Sequence, residues 1–482
     1  MTTQISAQQK FTISGSIKDK KNGETMFGVT VFPIELSGVG ASCNEYGFYS
    51  LTLPEGKYHI VCSFMGYKAD TMLINLKANI KSDRFMSDNA LLMKEVVVAA
   101  EKKDDNLTNT NIGMEKLDIK EIAKIPVIFG EKDVLKTIQL LPGVKSAGEG
   151  NSGFFVRGGS ADQNLILLDE ATVYNASHLL GFFSTFNSDA LKDVSILKGN
   201  SPAQYGGRLS SVLDVKMKEG NNQKYSASGG IGLISSRLSI EGPIVKDKGS
   251  FIVSGRRTYA DLFLKLTEDY KDNSLYFYDL NAKGNYQINK NNRIFLSGYF
   301  GRDILGFAKT FGIDWGNKTG TLRWNSVINP KLFSNTSVIY SDYSYNIKIS
   351  NTGGSLNIKS QIKDWNLKEE ITYFINDKNT MKFGFNSTYH NIVPSRFTGT
   401  GSSETLKKGR YSFDNAVFVN NTMKVSEKIT LDYGVRASFF SILGGDTYRI
   451  YDKGIFKDSV VLASNTFGKT YSNIEPRFQF SY

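Results

Sequence analysis

The residue types best suited to chemistry are scarce in this 482-residue sequence, which holds three histidines and two cysteines. The histidines stand in "HIVC" (His59), "HLLG" (His178) and "HNIV" (His390). None has an acidic residue three positions on, and none sits in a zinc-protease motif, where two imidazoles must share one helical face. Cys43 and Cys62 are too few for a disulfide framework and lack a metal-ligand partner at the right spacing, so they read as small core residues. The stretch "FFVRGGSADQNLILLDEATVYN" (154–175) sets a flexible Arg157–Gly158–Gly159 corner before an apolar run, Leu165–Leu168, that ends on Asp169–Glu170. It contains no histidine or cysteine. No cofactor and no catalytic group is expected, and the question becomes what such a corner fits against.

Composition narrows the answer. Charged residues make up 22% and hydrophobic ones 40%, which fits neither a disordered chain nor a helical membrane protein. Forty-five glycines, 12% aromatics and only nine prolines favour many strands over many helices. The longest uncharged tract, Ala171–Ser188, is too polar for a spanning helix of roughly 20 apolar residues. The start has no apolar signal core, and "SAQQ" reads like sequence just after a signal cleavage site. The net charge of +11 comes from dispersed residues, with "KDKK" (18–21) and "LKKGR" (406–410) the densest runs. Such dispersal describes a solvated surface, and nucleic acid is not expected as a partner.

Four segments follow one another. Residues 11–90 read as a small all-β module, whose runs "FTISGSIKD", "GVTVFPI", "GFYSLTL" and "KYHIVCSF" are separated by glycine-bearing turns. Seven or so strands in that length make a β-sandwich. Residues 91–114 place an apolar run after Glu95 and then a charged, Asn/Thr-rich linker. This is either a last strand with a tether or an extended peptide offered to a partner's sheet edge. Residues 115–220 form an α+β unit. Val134, Ile138 and Leu141 share a helical face that Pro142–Gly143 stops, and Asn187 or Ser188 caps a first turn holding Asp189 before the strand Val194–Lys198.

Residues 221–482 alternate strictly. In "KITLDYGVRASFF", Ile429, Leu431, Tyr433, Val435, Ala437 and Phe439 share one face, and Asp432 and Arg436 lie on the other. "MKFGFNSTY" and "RFQFSY" repeat the pattern, placing Phe478 and Phe480 outward and Glu475 and Arg477 inward. A strand of this kind separates an apolar solvent from water. Short polar turns start at 245, 289, 329, 376 and 426. Each interval fits two spanning strands of about 10 residues plus a long far-end loop, such as "SSETLKKGR" (402–410) or "YRIYDKGIFKDSVVLASNTF" (448–467). That is an outer-membrane β-barrel.

Two resemblances attach to these segments. "SGSIKDKKNGETMFGVTVF…NEYGFYSLTLPEGKYHIVCSFMGYK" resembles the carboxypeptidase-regulatory-like domain. "FFVRGGSADQNLILLDEATVYN" and "DVSILKGNSPAQYGGRLSSVLDVKMKEG" resemble the plug-domain signatures of TonB-dependent outer-membrane receptors. The family pattern falls on Arg157, Gly158, Gly159 and Asp169, then on Lys198, Gly199, Tyr205, Gly206, Gly207 and Arg208. In that light "MKEVVVAA" resembles a TonB box, at Glu95, Val96, Val97, Val98, Ala99 and Ala100.

The resemblance implies a mainly β protein: a sandwich module, a box and linker, a plug, and part of a 22-stranded antiparallel barrel. It implies a TonB-type inner-membrane energy-coupling protein as partner, with outer-membrane lipid around the wall and the N-terminal module in the periplasm. It implies import of a scarce or large substrate: siderophore, haem, cobalamin, peptide or glycan. A surface lipoprotein is a further partner within the family. The reading of another class is a barrel-anchored adhesion or binding protein. Physically, the glycines at 158–159 and 206–207 let the plug backbone turn where a Cβ would clash or φ is positive. Arg157 and Arg208 are candidates to pair with inward wall carboxylates, with Glu475 as a candidate partner of Arg157. Asp169 is expected to cap or hydrogen-bond a turn. Counting around the turns gives roughly eleven strands, half of a barrel, so a fragment cut halfway round the wall is expected.

Overall fold

The computed structural model describes residues 9–88, 114–117, 133–148, 153–352, 354–399, 409–426 and 428–482. The box residues Glu95–Ala100, most of the 91–114 linker and nearly all of the 402–410 loop lie outside the described residues.

The N-terminal module is built from two sheets. Lys10–Asp19 pairs with Phe48–Pro54 and is flanked by Ile80–Lys81 and Arg84–Met86, while the second sheet runs Ala41–Ser42, Thr30–Pro33, Gly56–Ser63, Asp70–Leu76. Apolar residues on the inward face of each strand put Ile13, Ile17, Leu51, Leu53, Ile60 and Leu76 into a common core. Cys43 and Cys62 are free and buried there.

The α+β unit centres on a five-stranded sheet in the order Ala171–Thr172, Leu165–Leu168, Ser211–Met217, Leu191–Lys198, Met114–Leu117. Leu165–Leu168 runs parallel to Ser211–Met217, so both of its faces are covered, which is why it reads as an unbroken apolar run. The helix Val134–Ile138 is capped by Asp133, whose carboxylate accepts from the Lys136 amide at 3.1 Å. After Asn187 the expected helical start is a single 3-10 turn, Ser188–Ala190, because the strand begins at once with Leu191. Asn187 still caps it, accepting from the Asp189 amide.

The remainder is one antiparallel sheet of twelve strands in chain order. Its first six members are Ser226–Ile231, Ser235–Val245, Gly249–Thr258, Ser274–Gln287, Asn292–Phe307 and Phe311–Asn329. The last six are Leu332–Asn351, Gly354–Phe374, Asn379–Gly399, Arg410–Lys424, Thr430–Leu443 and Phe467–Ser481. The turn count of eleven falls one short. The missed first strand, "SASGGI", has no run of outward apolar residues to mark it. A second difference lies at 448–467, where the expected loop is a hairpin of Thr447–Asp452 on Ile455–Val461.

The two faces of this wall differ as lipid and water require. Tyr433 and Val435 are each 42% exposed, whereas their neighbours Asp432 and Arg436 are 6% and 3% exposed. On the fourth strand Phe277, Asp279, Asn281, Lys283 and Asn285 are buried and Tyr278 and Leu280 are exposed. What buries the inward, mostly polar residues is the α+β unit. Among the described residues no helix is long and apolar enough to cross a membrane.

Candidate functional site

The corner at Asp169–Glu170 is where the plug meets the wall. Both residues are left-handed, with φ of 46° and 74°, and each such non-glycine conformation costs about 1–3 kcal/mol and persists because its surroundings fix it. The turn delivers two adjacent carboxylates to three wall cations. Asp169 Oδ2 lies 2.9 Å from Lys283 Nζ, and Oδ1 lies 3.7 Å from Arg323. Glu170 lies 3.6 Å from Arg323 and 3.7 Å from Lys368. The Met217 amide donates to Asp169 at 3.1 Å, the Thr321 hydroxyl donates to its carbonyl at 2.9 Å, and Asn335 donates to Glu170 at 3.1 Å. Burial works against both carboxylates, but the facing cations prevail and hold them below the usual carboxylate range.

The N-terminal module joins the same network from the short-turn end. Its Asn44–Phe48 turn inserts Glu45 between the plug and the wall, 2.6 Å from Lys216 and 3.4 Å from Lys382, and Lys382 reaches Glu370 at 3.4 Å. Tyr46 stacks on Phe333 with ring centroids 5.3 Å apart, and Phe48 is buried between Phe333 and Phe374. The Tyr46 hydroxyl donates to Glu170 at 3.2 Å, so module, plug and wall share one set of charges. A second junction repeats the arrangement around Glu219. That carboxylate accepts from the Thr25 hydroxyl at 2.6 Å and pairs with Lys192 and Arg293, each at 3.0 Å. Lys81 donates to Asn291 in a short wall turn at 2.7 Å.

A third buried junction holds His178. Its Nδ1 lies 2.7 Å from Asp303 Oδ2, the Leu179 amide donates to Asp303 at 2.8 Å, and the ring stacks on Phe277 at 4.1 Å. Asp279, 3.4 Å from the same imidazole, also pairs with Arg256 at 2.6 Å. Burial favours neutral His178, yet Asp303 and Asp279 together raise its pKa above the ordinary histidine value. His390 pairs with Asp364 at 2.7 Å, and Asp364 also accepts from the Tyr174 hydroxyl of the plug. Among the described residues no cluster of His, Cys, Asp and Glu could hold a metal ion.

The positions singled out in the sequence fall into three places. Arg436 donates to the carbonyls of Ala203 and Gln204 at 3.4 Å, and Arg477 donates to those of Ser201 and Pro202 at 2.8 and 2.9 Å. Asp432 accepts from Asn420 and Thr422 on the neighbouring wall strand. Gly206 faces Arg436 so closely that a Cβ would sit 2.4 Å from its Nε, while Gly158 and Gly207 have φ of 83° and 77°. Gly159 is packed against Ser210, and Gly199 lies under the Arg157 guanidinium. Tyr205 is buried with Leu167, Leu197 and Val212. Lys198 pairs with Glu115 at 2.6 Å and donates to the Pro142 carbonyl.

The arginine pairings do not form. Among the described residues Arg157 and Arg208 make no ion pair, both are exposed, and Arg208 donates to the Gly207 carbonyl. Glu475 is satisfied by Arg477 at 2.7 Å and Ser438 at 2.8 Å. At the Asp169–Glu170 corner charge runs the other way, with plug carboxylates on wall cations, and wall carboxylates meet the plug at His178 instead.

Comparison with known proteins accounts for this arrangement. Residues 13–98 match the CarboxypepD_reg-like domain family, and residues 117–211 match the TonB-dependent Receptor Plug Domain family. The chain has the architecture of a TonB-dependent receptor. The fold is shared with the ferric enterobactin receptor PfeA of Pseudomonas aeruginosa, at 14% identity and a TM-score of 0.52, covering 69% of this chain and 59% of that one. The FrpB iron transporter of Neisseria meningitidis matches at 13% identity and a TM-score of 0.55, covering 77% and 62%. The ferric citrate transporter FecA, in its unliganded form, matches at 12% identity and a TM-score of 0.54, covering 79% and 61%. The chain thus spans about three-fifths of the receptors it matches. No curated protein sequence matches it.

Proposed function

We propose that the chain belongs to a TonB-dependent importer that carries a scarce or large substrate across the outer membrane of a Gram-negative bacterium. The observation that carries this reading is a plug seated in the lipid-facing wall by buried ion pairs, beside a smaller apolar contact of Leu179 and Phe183 with Phe277. Such pairs hold while intact, and removing one partner leaves an uncompensated buried charge.

The N-terminal module docks against the short-turn end, which supports a periplasmic placement. Residues 95–100 lie on the stretch joining that module to the plug's edge strand, Met114–Leu117. An energy-coupling partner of TonB type gripping Glu95–Ala100 would load that edge strand first. It is held by four residue pairs to Val194–Leu197, by Lys116–Asp193 at 2.8 Å and by Lys198–Glu115 at 2.6 Å. Peeling it uncovers the sheet that carries the Asp169–Glu170 corner. The substrate classes remain siderophore, haem, cobalamin, peptide and glycan.

The test is deletion of Glu95–Ala100 in the full-length receptor, with uptake measured on limiting iron, cobalamin and polysaccharide. Loss of uptake with surface display retained supports energised import. Unchanged uptake reassigns the protein as a passive receptor or adhesin.

A further inference from the structure

Lipid contact selects apolar residues, yet part of the outer wall face is charged. Strand register sorts the outward residues of the fifth to ninth strands into rows. One row is Leu296, Leu322, Val338 and Leu367. The next, toward the long-loop end, contains Tyr340, Trp365 and Tyr389, with the first two rings 4.9 Å apart. Beyond it lies Phe300, Lys318, Asp342 and Lys363, and two rows further Asp314, Asn346, Lys359 and Arg396. Apolar, aromatic and then charged rows mark a hydrocarbon edge, an interfacial belt and the headgroup level.

The charges there do not balance. Arg302, Lys318, Lys359, Lys363 and Arg396 face only Asp314 and Asp342. Asp314 pairs with Arg302 and accepts from Asn346 at 3.1 Å, while Asp342 accepts from Gln361 at 2.9 Å and from Tyr340 at 3.0 Å. Lys318, Lys359, Lys363 and Arg396 have no ion-pair partner among the described residues, and the buried Arg396 Nε has no hydrogen-bond acceptor. Between Lys318 and Lys359 opens a cleft of about 290 Å³, also lined by Phe300, Arg302, Ser344, Asn346 and Gln361, with Arg396 paired across the strands to Lys359. It sits mid-sheet, far from the first and last wall strands.

We propose that this cleft binds the phosphorylated headgroup of an outer-leaflet glycolipid. Arginine and lysine supply the charge-assisted donors that phosphate oxygens accept, and Ser344, Asn346 and Gln361 supply neutral ones. The acyl chains would lie down the Val338–Leu367 row, past the Tyr340 and Trp365 rings. The proposal rests on the wall being lipid-facing and is independent of whether the receptor is energised.

The experiment reconstitutes the full-length receptor in phosphatidylethanolamine nanodiscs containing a few mole per cent of phosphorylated Gram-negative glycolipid, then reads retained lipid by native mass spectrometry. Wild type should keep the phosphorylated glycolipid and not its dephosphorylated form. The Lys318→Gln, Lys359→Gln, Arg396→Gln variant should lose at least tenfold of the adduct at unchanged far-UV circular dichroism. A double variant of the exposed hairpin, Lys453→Gln and Lys457→Gln, should retain it. Equal retention by the triple variant, equal retention of the dephosphorylated lipid, or displacement by millimolar inorganic phosphate would overturn the assignment.

Discussion

Replacing Asp169 by Asn tests how the plug is held. The substitution keeps size and the Met217 amide acceptor but removes the charge facing Lys283 at 2.9 Å and Arg323 at 3.7 Å. Lys283 is 5% exposed, so its ammonium is left in a site that water does not reach. Breaking a buried pair by removing one partner costs about 3–5 kcal/mol. At roughly 1.4 kcal/mol per factor of ten, the opening of the plug from the wall should become about a hundred- to several-thousandfold more frequent. Amide hydrogen exchange on the protein reads that opening at Leu165–Leu168 and Ser211–Met217, whose amides the plug sheet protects. Adding Lys283→Met should restore much of the protection, because the stranded charge is gone. The exposed Arg157→Ala should change it by less than about 0.5 kcal/mol. The reasoning is refuted if Asp169→Asn exchanges like wild type, or if Lys283→Met brings no recovery on the Asp169→Asn background.

Three further outcomes are expected. Phe48→Ala removes the ring buried between Phe333 and Phe374, a loss of about 3–5 kcal/mol, and should broaden the spin-label distance between position 57 of the module and position 318 of the wall. Gly206→Val puts a Cβ within 2.4 Å of Arg436 Nε, so exchange should rise around Ala203–Gln204 while the first six wall strands keep their protection. The pH response has two signs. Asp169 and Glu170 sit below their ordinary values, so their contribution is present above about pH 4 and is lost as pH falls through the lower folded values. Asp214 is pushed up to about 6 by burial, so its contribution is present below its ordinary value and lost as pH rises through about 6. Thermal unfolding should therefore show Asp214→Asn to be more favourable, relative to wild type, at pH 8 than at pH 5.

What the sequence made legible follows from range. Alternation along "KITLDYGVRASFF" is local, since every second residue meets lipid, so the wall, its short turns and its inward Asp432 and Arg436 can be read from neighbours alone. The first wall strand escapes because "SASGGI" offers glycine and serine where outward bulk would mark it. The hairpin at 447–461 escapes because it stands in water on both sides, and polarity there resembles a loop. Contacts between distant segments leave no local trace. Asp169 and Lys283 are 114 residues apart, and nothing near either announces the other. The Asn44–Phe48 turn signals only a turn, although its Glu45, Tyr46 and Phe48 dock the module. The outward charges at Lys318 and Lys359 are hidden by glycines at 312, 316 and 320 and by a register shift between Lys359 and Gln361, which blur the alternation.

The claim beneath all of this is a wall with fatty acyl chains on one side and a docked plug on the other. Single fluorophores placed in turn at positions 431 to 437 of the protein, in bilayers with bromine-labelled acyl chains, measure it directly. Quenching confined to 431, 433, 435 and 437, with 432, 434 and 436 dark to the bromine, is the predicted result. Quenching without that period of two, or strongest at 432 and 436, would contradict it.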